Sequence, residues 1–210
     1  MSVTVDHEER RTQIIDGVLR LAAREGLRGV SMRAAAASAG VSLRLVQYYF
    51  GTKNDLLAAT LTELTRRSDS RWRRRIEELG ADATPREMIE AYIDEALPTD
   101  EESRRFHLVY RDYLTLTLTG DSVERAPFVA GPRDSHRRLT GLLDDARAAG
   151  ELNSDRDPAT EAWHLIALEH GLSTALLLGL HTAESAKSVV DDHLDRLFTH
   201  PDRPAPHALG

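Results

Sequence analysis

The side chains with the clearest chemical use lie between residues 31 and 53, in two short helical segments joined by a tight turn. In the turn Gly40-Val41-Ser42, Gly40 can take a positive φ, Val41 can be buried and Ser42 can cap the next helix. Two helices at this spacing are typical of a helix-turn-helix, whose second helix enters a major groove. The capped helix start would present free amides and the positive end of its dipole to phosphate. The spacing alone is a weak signal, because many helical proteins contain such a corner.

The distribution of charge favours a polyanion as the partner of this region. The chain of 210 residues has a formal net charge of −7, but residues 1–75 contain 14 Lys and Arg against 8 Asp and Glu, which is +6. The remainder contains 13 against 26, which is −13. Such an asymmetry indicates that the N-terminal third faces a polyanion, although part of it can arise by chance.

Other kinds of chemistry find little support in the sequence. The absence of cysteine excludes disulfides and thiolate metal sites. His164, Glu169 and His170 do not match HExxH or a similar spacing, so we predict no metal and no cofactor. There is no nucleophile elbow, no glycine-rich phosphate loop and no convincing pair of carboxylates, so the chain is not predicted to be an enzyme. The arginines of residues 66–75 can form a second phosphate site, but a solvated face explains them better.

The elements that must position these residues are helices throughout. Apolar periodicity, caps and breakers predict helices at 8–25, 32–39, 43–49, 52–79, 85–97, 101–119, 132–149, 158–179 and 183–198. A strand is the alternative for Leu114–Thr119, where residues alternate, and Gly120–Gly131 is predicted to be an irregular connection. The fourth helix is predicted to open with a capping box at Thr52–Asp55.

Three segments of this helical chain closely resemble the DNA-binding domain of the tetracycline-repressor (TetR) family. They begin Arg11-Thr-Gln-Ile-Ile, Ala39-Gly-Val-Ser and Tyr48-Tyr-Phe-Gly-Thr-Lys, and the likeness covers residues 10–57. The resemblance implies an all-α protein with an N-terminal three-helix helix-turn-helix domain and a C-terminal helical domain for ligand binding and dimerisation. It also implies a transcriptional regulator, most simply a repressor, that binds a palindromic operator on double-stranded DNA as a homodimer and is released by an unknown small-molecule inducer.

The domain boundaries that follow are 1–55 for the DNA-binding domain and 56–200 for the C-terminal domain, with a disordered tail at 201–210. The segments that start at Ala96, Ala148, His170 and His193 resemble the class shared with the choline-sensing repressors of the betaine pathway. That class answers to many ligands, so the likeness does not identify choline.

The sequence departs from the family pattern at three positions. Ala35 stands where the family usually has a large aliphatic residue, which indicates closer helix packing or a thinner core. Gln47 often corresponds to Tyr in the family, and Arg44 to a small residue. The last two departures fall on or beside the surface that faces DNA, so we expect them to alter which operator is bound.

Eight residues are predicted to contact DNA. Arg44 can donate a bidentate pair to guanine, and Arg33 holds a position that touches bases in related repressors. Tyr48, Lys53 and Ser31 are expected to bind phosphates, while Gln47 can reach either bases or phosphates. The full set is Ser31, Arg33, Ser42, Leu43, Arg44, Gln47, Tyr48 and Lys53.

Two further surfaces are predicted in the C-terminal part. An adaptable aromatic ligand pocket is expected from Met88, Tyr92, Phe106, Tyr110, Tyr113 and His170, although the same residues can fill a core. The last two helices are more apolar than one intramolecular face requires, so we expect them to pair with their symmetry mates. The predicted dimer interface comprises Leu165, Leu168, Leu172, Ala175, Leu176, Val190, Leu194 and Leu197.

The sequence gives no sign of a membrane or export segment. The N-terminus is polar and charged, and the longest apolar run, Gly171–Leu180, has about half the length that is needed to cross a bilayer. We therefore expect a soluble, cytoplasmic protein that has no membrane partner.

Overall fold

The computed structural model describes the backbone of residues 2–120 and 125–199, and the side chains from residue 7 onwards except those of 121–127. Nine α-helices and one 3-10 turn make up this part of the chain, as α1 Ser2–Glu25, the 3-10 turn Leu27–Gly29, α2 Met32–Ala39, α3 Leu43–Phe50, α4 Lys53–Leu79, α5 Pro85–Ala96, α6 Glu101–Thr119, α7 Arg125–Ala148, α8 Pro158–Leu177 and α9 Ala183–Leu197. Within these residues no strand forms, and the only β-type pairing is a single bridge between Leu152 and Phe198. The predicted all-α fold is confirmed.

Most of the predicted helices are present, and the differences have identifiable causes. Leu114–Thr119 is helical, so the strand alternative is wrong. The irregular connection predicted for Gly120–Gly131 is also wrong from Arg125 onwards, because α7 already begins there and Pro132 lies inside it. Phe128, on that first stretch, stacks on Tyr110 of α6 at a centroid distance of 4.8 Å, and this packing offsets the hydrogen bond that proline cannot donate. The predicted disordered tail at 201–210 lies outside the described residues.

The helices form two compact units by their contacts. Unit 1 comprises Met1–Ser70 and Asp100–Gly131, and unit 2 comprises Arg71–Thr99 and Pro132–Gly210. This division differs from the boundary at residues 55 and 56 that the sequence predicts, because α6 and the first part of α4 pack into the same core as α1, α2 and α3. Helix α4 is continuous through both units.

Unit 1 is held together by contacts that fix the two short helices. Helix α2 packs on α1 at Gly17, where a Cβ atom would lie 2.7 Å from the Cβ of Ala39. Gln13 donates to the Ala39 carbonyl (2.9 Å), and Ser38 donates to the Gly17 carbonyl (2.7 Å). Small buried residues on α2, including Ala35, allow this approach. The close packing that Ala35 suggests is therefore seen between α1 and α2.

Helix α6 packs in unit 1 and contacts both the 3-10 turn and α4. The Asp112 carboxylate accepts the Leu27 amide at 2.8 Å, and the fully buried Tyr113 donates its hydroxyl to the Leu57 carbonyl on α4. Burial raises the pKa of Tyr113, so that hydroxyl remains protonated and can act as the donor. These two contacts join α6 to segments 85 and 56 positions earlier in the chain.

Unit 2 has its own apolar core, built from α5, α7, α8 and α9. Its largest fully buried side chains include Ile89, Leu139, Leu143, Leu165 and Leu194. Capping boxes at Thr84 and Thr182 begin α5 and α9, and Asp157 caps α8 by accepting the Thr160 amide at 2.9 Å. The Thr160 hydroxyl and this amide both donate to the Asp157 carboxylate and lower its pKa.

Candidate nucleic-acid interface

The turn between α2 and α3 has the geometry that the sequence predicts. Gly40 takes a left-handed conformation with φ 68° and ψ 32°, and the Val41 amide bonds back to the Ala36 carbonyl at 3.0 Å. Ser31 and Ser42 cap the two helices, accepting the amides of Ala34 (3.1 Å) and Leu45 (3.2 Å). Each serine hydroxyl still has its own proton to donate, so both remain able to bind a phosphate oxygen.

The residues predicted to contact DNA lie on the accessible surface of this unit. Seven of the eight are exposed, and Tyr48 is the most prominent apolar side chain among them at 71% exposure. Leu43 is half-buried and packs against the core of unit 1. We call the exposed seven the DNA-binding surface, and they are Ser31, Arg33, Ser42, Arg44, Gln47, Tyr48 and Lys53.

The cations of this surface are not neutralised within the part of the chain that the structure describes. There, Arg33, Arg44 and Lys53 have no carboxylate partner. The other lysine, Lys187 on α9, pairs with Asp191 at 3.1 Å, which raises its pKa. Three exposed positive charges without partners, beside a capped helix start, form a surface suited to a polyanion.

The arginines of residues 66–75 are arranged differently. Arg67 on α4 bonds to Asp16 of α1 at 2.7 Å and to Glu63 at 2.8 Å, and Arg71 bonds to Glu95 of α5 at 2.6 Å. Arg66 and Arg67 together lower the pKa of Glu63 to about 2, through hydrogen bonds and charge. The solvated face expected for this run is therefore wrong for Arg67 and Arg71, which are partly buried and support the packing of helices.

Aromatic contacts hold the end of α3 in place. One of the residues involved, His7, was not singled out from the sequence. Tyr48 and Tyr49 meet edge to face at 5.3 Å, and the ring of His7 on α1 lies 5.4 Å from Tyr49. Arg11 places its guanidinium 4.9 Å from the centre of the Phe50 ring. His7 precedes the predicted start of α1, so no periodicity marked it. Its contact arises because α1 begins at Ser2, earlier than predicted.

The start of α4 completes the surface beside Lys53. The Asp55 amide bonds to the Thr52 hydroxyl oxygen at 3.2 Å, and the Asp55 carboxylate accepts the Thr52 amide at 3.2 Å. The predicted capping box is thus present. It fixes the first turn of α4, and with it the position from which Lys53 projects.

The residues predicted to line a ligand pocket are divided between the two units. Phe106, Tyr110 and Tyr113 belong to unit 1, where Tyr113 fills the core and Phe106 stacks on Tyr110 at 5.8 Å. Met88, Tyr92 and His170 belong to unit 2. Tyr92 there meets Trp72 edge to face at 6.4 Å, and Trp72 is a residue that the sequence did not single out. The ligand pocket therefore stays a prediction.

The residues predicted to form a dimer interface have different positions in a single chain. Five of them, Leu165, Leu172, Val190, Leu194 and Leu197, are buried in the core of unit 2. Leu168, Ala175 and Leu176 are half-buried, and Leu178 and Leu180, just beyond α8, are 68% and 73% exposed. The dimer interface stays a prediction, and within one chain only the second group is left partly accessible.

Two absences apply to the residues that the structure describes. No group of three or more His, Asp or Glu side chains there is arranged to hold a metal ion. No helix among them has the length and apolar character required to cross a membrane.

Comparisons with known proteins match both parts of the chain. Residues 14–60 match the family model of the bacterial regulatory proteins, tetR family, and residues 85–199 match that of the BetI-type transcriptional repressor, C-terminal. The HTH-type transcriptional regulator PksA of Bacillus subtilis is 30% identical over 85% of this chain and 83% of its own length. The HTH-type transcriptional regulator BetI of Rhizobium meliloti is 30% identical over 68% of this chain and 71% of its own.

Solved structures share the fold along nearly the whole chain. A TetR-family regulator from Rhodococcus sp. superposes with a TM-score of 0.80 at 24% identity, covering 91% of this chain and all of the other. A transcriptional regulator from Saccharomonospora viridis, solved in complex with choline, gives a TM-score of 0.79 at 22% identity and covers 92% of this chain and all of the other.

Proposed function

The chain belongs to the tetR family of bacterial regulatory proteins, with a BetI-type repressor C-terminal part, and from this membership we propose that it represses transcription as a ligand-responsive homodimer. The observation that supports this most strongly is the DNA-binding surface, where Arg33, Arg44 and Lys53 are exposed and have no carboxylate partner among the described residues. As a DNA-binding repressor the protein would act in the cytoplasm, where the bacterial chromosome lies.

On this surface we assign the base contacts to Arg44 and Arg33, and the phosphate contacts to the remaining polar groups. Arg44 lies in the first turn of α3, which Ser42 caps, and is exposed without a carboxylate partner in the described chain. A guanidinium fork there can bind the O6 and N7 atoms of guanine. Lys53, Tyr48 and Ser31 border the same helix pair and set the register on the duplex. A dimer presents two such surfaces, so we expect a near-palindrome with half-sites about 34 Å apart.

The ligand is proposed to bind in unit 2, around Tyr92. The relative from Saccharomonospora viridis was solved with choline, which makes a quaternary ammonium ion the first chemistry to consider for this chain. Binding would favour a spacing of the two DNA-binding surfaces that no longer fits the operator.

The experiment begins by selecting an operator from random DNA with the wild-type protein. Binding is then measured for Lys53→Ala, Arg44→Ala and a control, Arg74→Ala, which removes an exposed arginine of α4 outside the surface. Lys53→Ala should weaken operator and random DNA by a similar factor and lower the salt slope by about 1 for each half-site, because it removes one phosphate contact from each protomer. Arg44→Ala should relax the preference at one position per half-site by about 1–3 kcal/mol. Arg74→Ala should bind as the wild type does.

Each contrary result has a definite meaning. Equal weakening of operator and random DNA by Arg44→Ala would move that residue to the phosphate contacts. If neither Arg44→Ala nor Lys53→Ala changed binding, α3 would not be the recognition helix. A wild-type protein that selected no DNA at all would refute the proposed function.

A further inference from the structure

The start of α1 lies against the last turn of α3. The ring centre of His7 is 5.4 Å from that of Tyr49 and 6.2 Å from that of Tyr48. One turn further along α1, the Arg11 guanidinium lies over the Phe50 ring. Residues four positions apart share a face of a helix, so His7 and Arg11 place one face of α1 beside the end of α3.

This contact brings α1 to the side of the interface where phosphates are expected. Helix α3 has eight residues and is therefore about 12 Å long, which is close to the width of the major groove, about 12 Å. When its capped first turn meets the base edges, its last turn would lie at the backbone that borders the groove. Tyr48 in that turn is exposed and is proposed to bind a phosphate. A side chain beside Tyr48 would face the same strand.

His7 is able to make such a contact. Its side chain is exposed, and no described residue forms a hydrogen bond or an ion pair with it. An imidazole carries at least one N–H, so it can donate to a phosphate oxygen while its ring stays packed on Tyr49. Arg11 has no carboxylate partner in the described chain, which leaves a positive charge on the shared face. The exposed carboxylates of Glu8 and Glu9 follow His7 directly and so point to other faces of α1.

We propose that His7 donates to the DNA backbone beside Tyr48, so that the start of α1 extends the DNA-binding surface beyond the helix-turn-helix. The contact reads no base, because the phosphates carry no sequence information. His7 precedes residues 14–60, which match the family model, so the contact belongs to the part of α1 that lies before the matched segment. The inference rests on the proposed function in taking double-stranded DNA as the partner of unit 1.

The test separates the donor from the ring at residue 7. His7→Phe keeps an aromatic ring for Tyr49 but has no N–H, whereas His7→Arg has N–H donors and a charge but no aromatic ring. Fluorescence anisotropy measures the binding of the full-length protein to the selected operator and to random DNA. We expect His7→Phe to weaken binding to both DNAs by roughly tenfold, because a dimer loses two hydrogen bonds. His7→Arg should bind both DNAs at least as tightly as the wild type and raise the salt slope by about 1 for each half-site.

Arg24→Gln is the control for a change of charge on the same helix. Arg24 is exposed, pairs with Glu25 at 3.2 Å, and lies near the other end of α1. At 1.5 Å per residue it is about 25 Å along the axis from His7. The Arg24→Gln variant should therefore bind DNA as the wild type does. Far-UV circular dichroism checks that each variant keeps its helices, which we expect because the side chains of His7 and Arg24 are exposed.

Each other outcome would overturn the proposal in its own way. Wild-type affinity in His7→Phe would leave His7 as a residue that only packs on Tyr49. Equal loss of binding in His7→Phe and His7→Arg would show that the ring matters and the donor does not. Weaker binding of His7→Phe to the operator alone would indicate contact with a base. A wild-type protein that selects no DNA counts against the proposed function, whereas one that binds its operator and is unaffected by His7→Phe counts against this contact alone.

Discussion

At the scale of single residues, exposure and pairing divide the arginines of this chain into two groups with different roles. Arg33 and Arg44 are exposed and lack a carboxylate partner in the described chain, whereas Arg67 and Arg71 are partly buried and bonded to Asp16 and Glu95. Arg44 was predicted from its place just after the glycine turn, which is a local signal, and Arg33 was predicted from the resemblance to related repressors. The sequence did not predict the second group, because their partners lie 51 and 24 positions away.

Gly17 offers a test of the close packing of α1 on α2. A methyl group at residue 17 would lie 2.7–2.8 Å from the Cβ, Cα and N atoms of Ala39, and two of these belong to the backbone. We expect Gly17→Ala to lower the free energy of unfolding by about 1–3 kcal/mol, since overpacking outweighs the better helix propensity of alanine. Urea denaturation measures this. Gly141→Ala, in α7 with open space around its Cβ position, should instead gain about 0.5–1 kcal/mol. Equal gains for both variants would show that α1 and α2 are not so close.

At the scale of elements, helix limits were predicted well where a cap or breaker marks them. Ser31, Ser42, Thr84, Asp100 and Asp157 each precede a helix and each accept an amide at its start. The predictions failed at the beginnings of α1 and α7, which start at Ser2 and Arg125. Pro132 was taken as the start of α7, because proline is common in the first turn of a helix. In the structure the helix begins before Pro132, and the packing of Phe128 on Tyr110 supports that earlier stretch.

The ion pairs of Arg67, which joins Asp16 of α1 to Glu63 of α4, should make the stability of unit 1 sensitive to acid. The arginine pair keeps the pKa of Glu63 at about 2, below its usual 4.5, so the ionised carboxylate stabilises the folded state. This stabilisation is complete above about pH 5 and is lost as the pH falls from 4.5 towards 2. We expect Glu63→Gln to cost about 2 kcal/mol near neutral pH, and the difference from wild type to shrink over that acid range.

The measurement is denaturant unfolding at a series of pH values. Glu77→Gln, which changes an exposed carboxylate of the same helix, serves as the control and should follow the wild type throughout. A Glu63→Gln difference that stayed constant down to pH 2 would contradict the role given to the ionised carboxylate.

At the scale of the whole molecule, the sequence predicted the order of domains but not the assignment of every helix to a compact unit. Helix α6 follows α5 in the chain, yet it packs into unit 1 through Asp112 and Tyr113, whose partners are Leu27 and Leu57. Contacts between residues 56 and 85 positions apart leave no local pattern. The residues of the candidate pocket on α5 and on α6 likewise lie in different units, which the sequence did not indicate.

The assembly of the molecule is expected to depend on the end of α8. Leu168, Ala175 and Leu176 are half-buried, and Leu178 and Leu180 extend the same apolar region into solvent. Exposed apolar patches of this kind mark interaction surfaces. In a two-fold symmetric dimer the same patch of both protomers would be buried at the interface. We predict that Ala175→Glu or Leu176→Glu yields monomers or insoluble protein, while Ala148→Glu, at the exposed end of α7, leaves the dimer intact. Sedimentation velocity at micromolar concentration distinguishes these, and a monomeric wild type would refute the prediction.

The scarcity of lysine has a consequence for chemical modification of this protein. Apart from the amino terminus, the amino groups that acylating reagents can modify are those of Lys53 and Lys187, and these two differ in reactivity. Lys187 is bonded to Asp191, which raises its pKa, so a smaller fraction of its amino group is neutral and reactive. Lys53 is exposed at the start of α4 without a carboxylate partner in the described chain. Acetylation of the whole protein would therefore fall first on a single side chain of the DNA-binding surface and remove its charge, leaving the arginines unmodified.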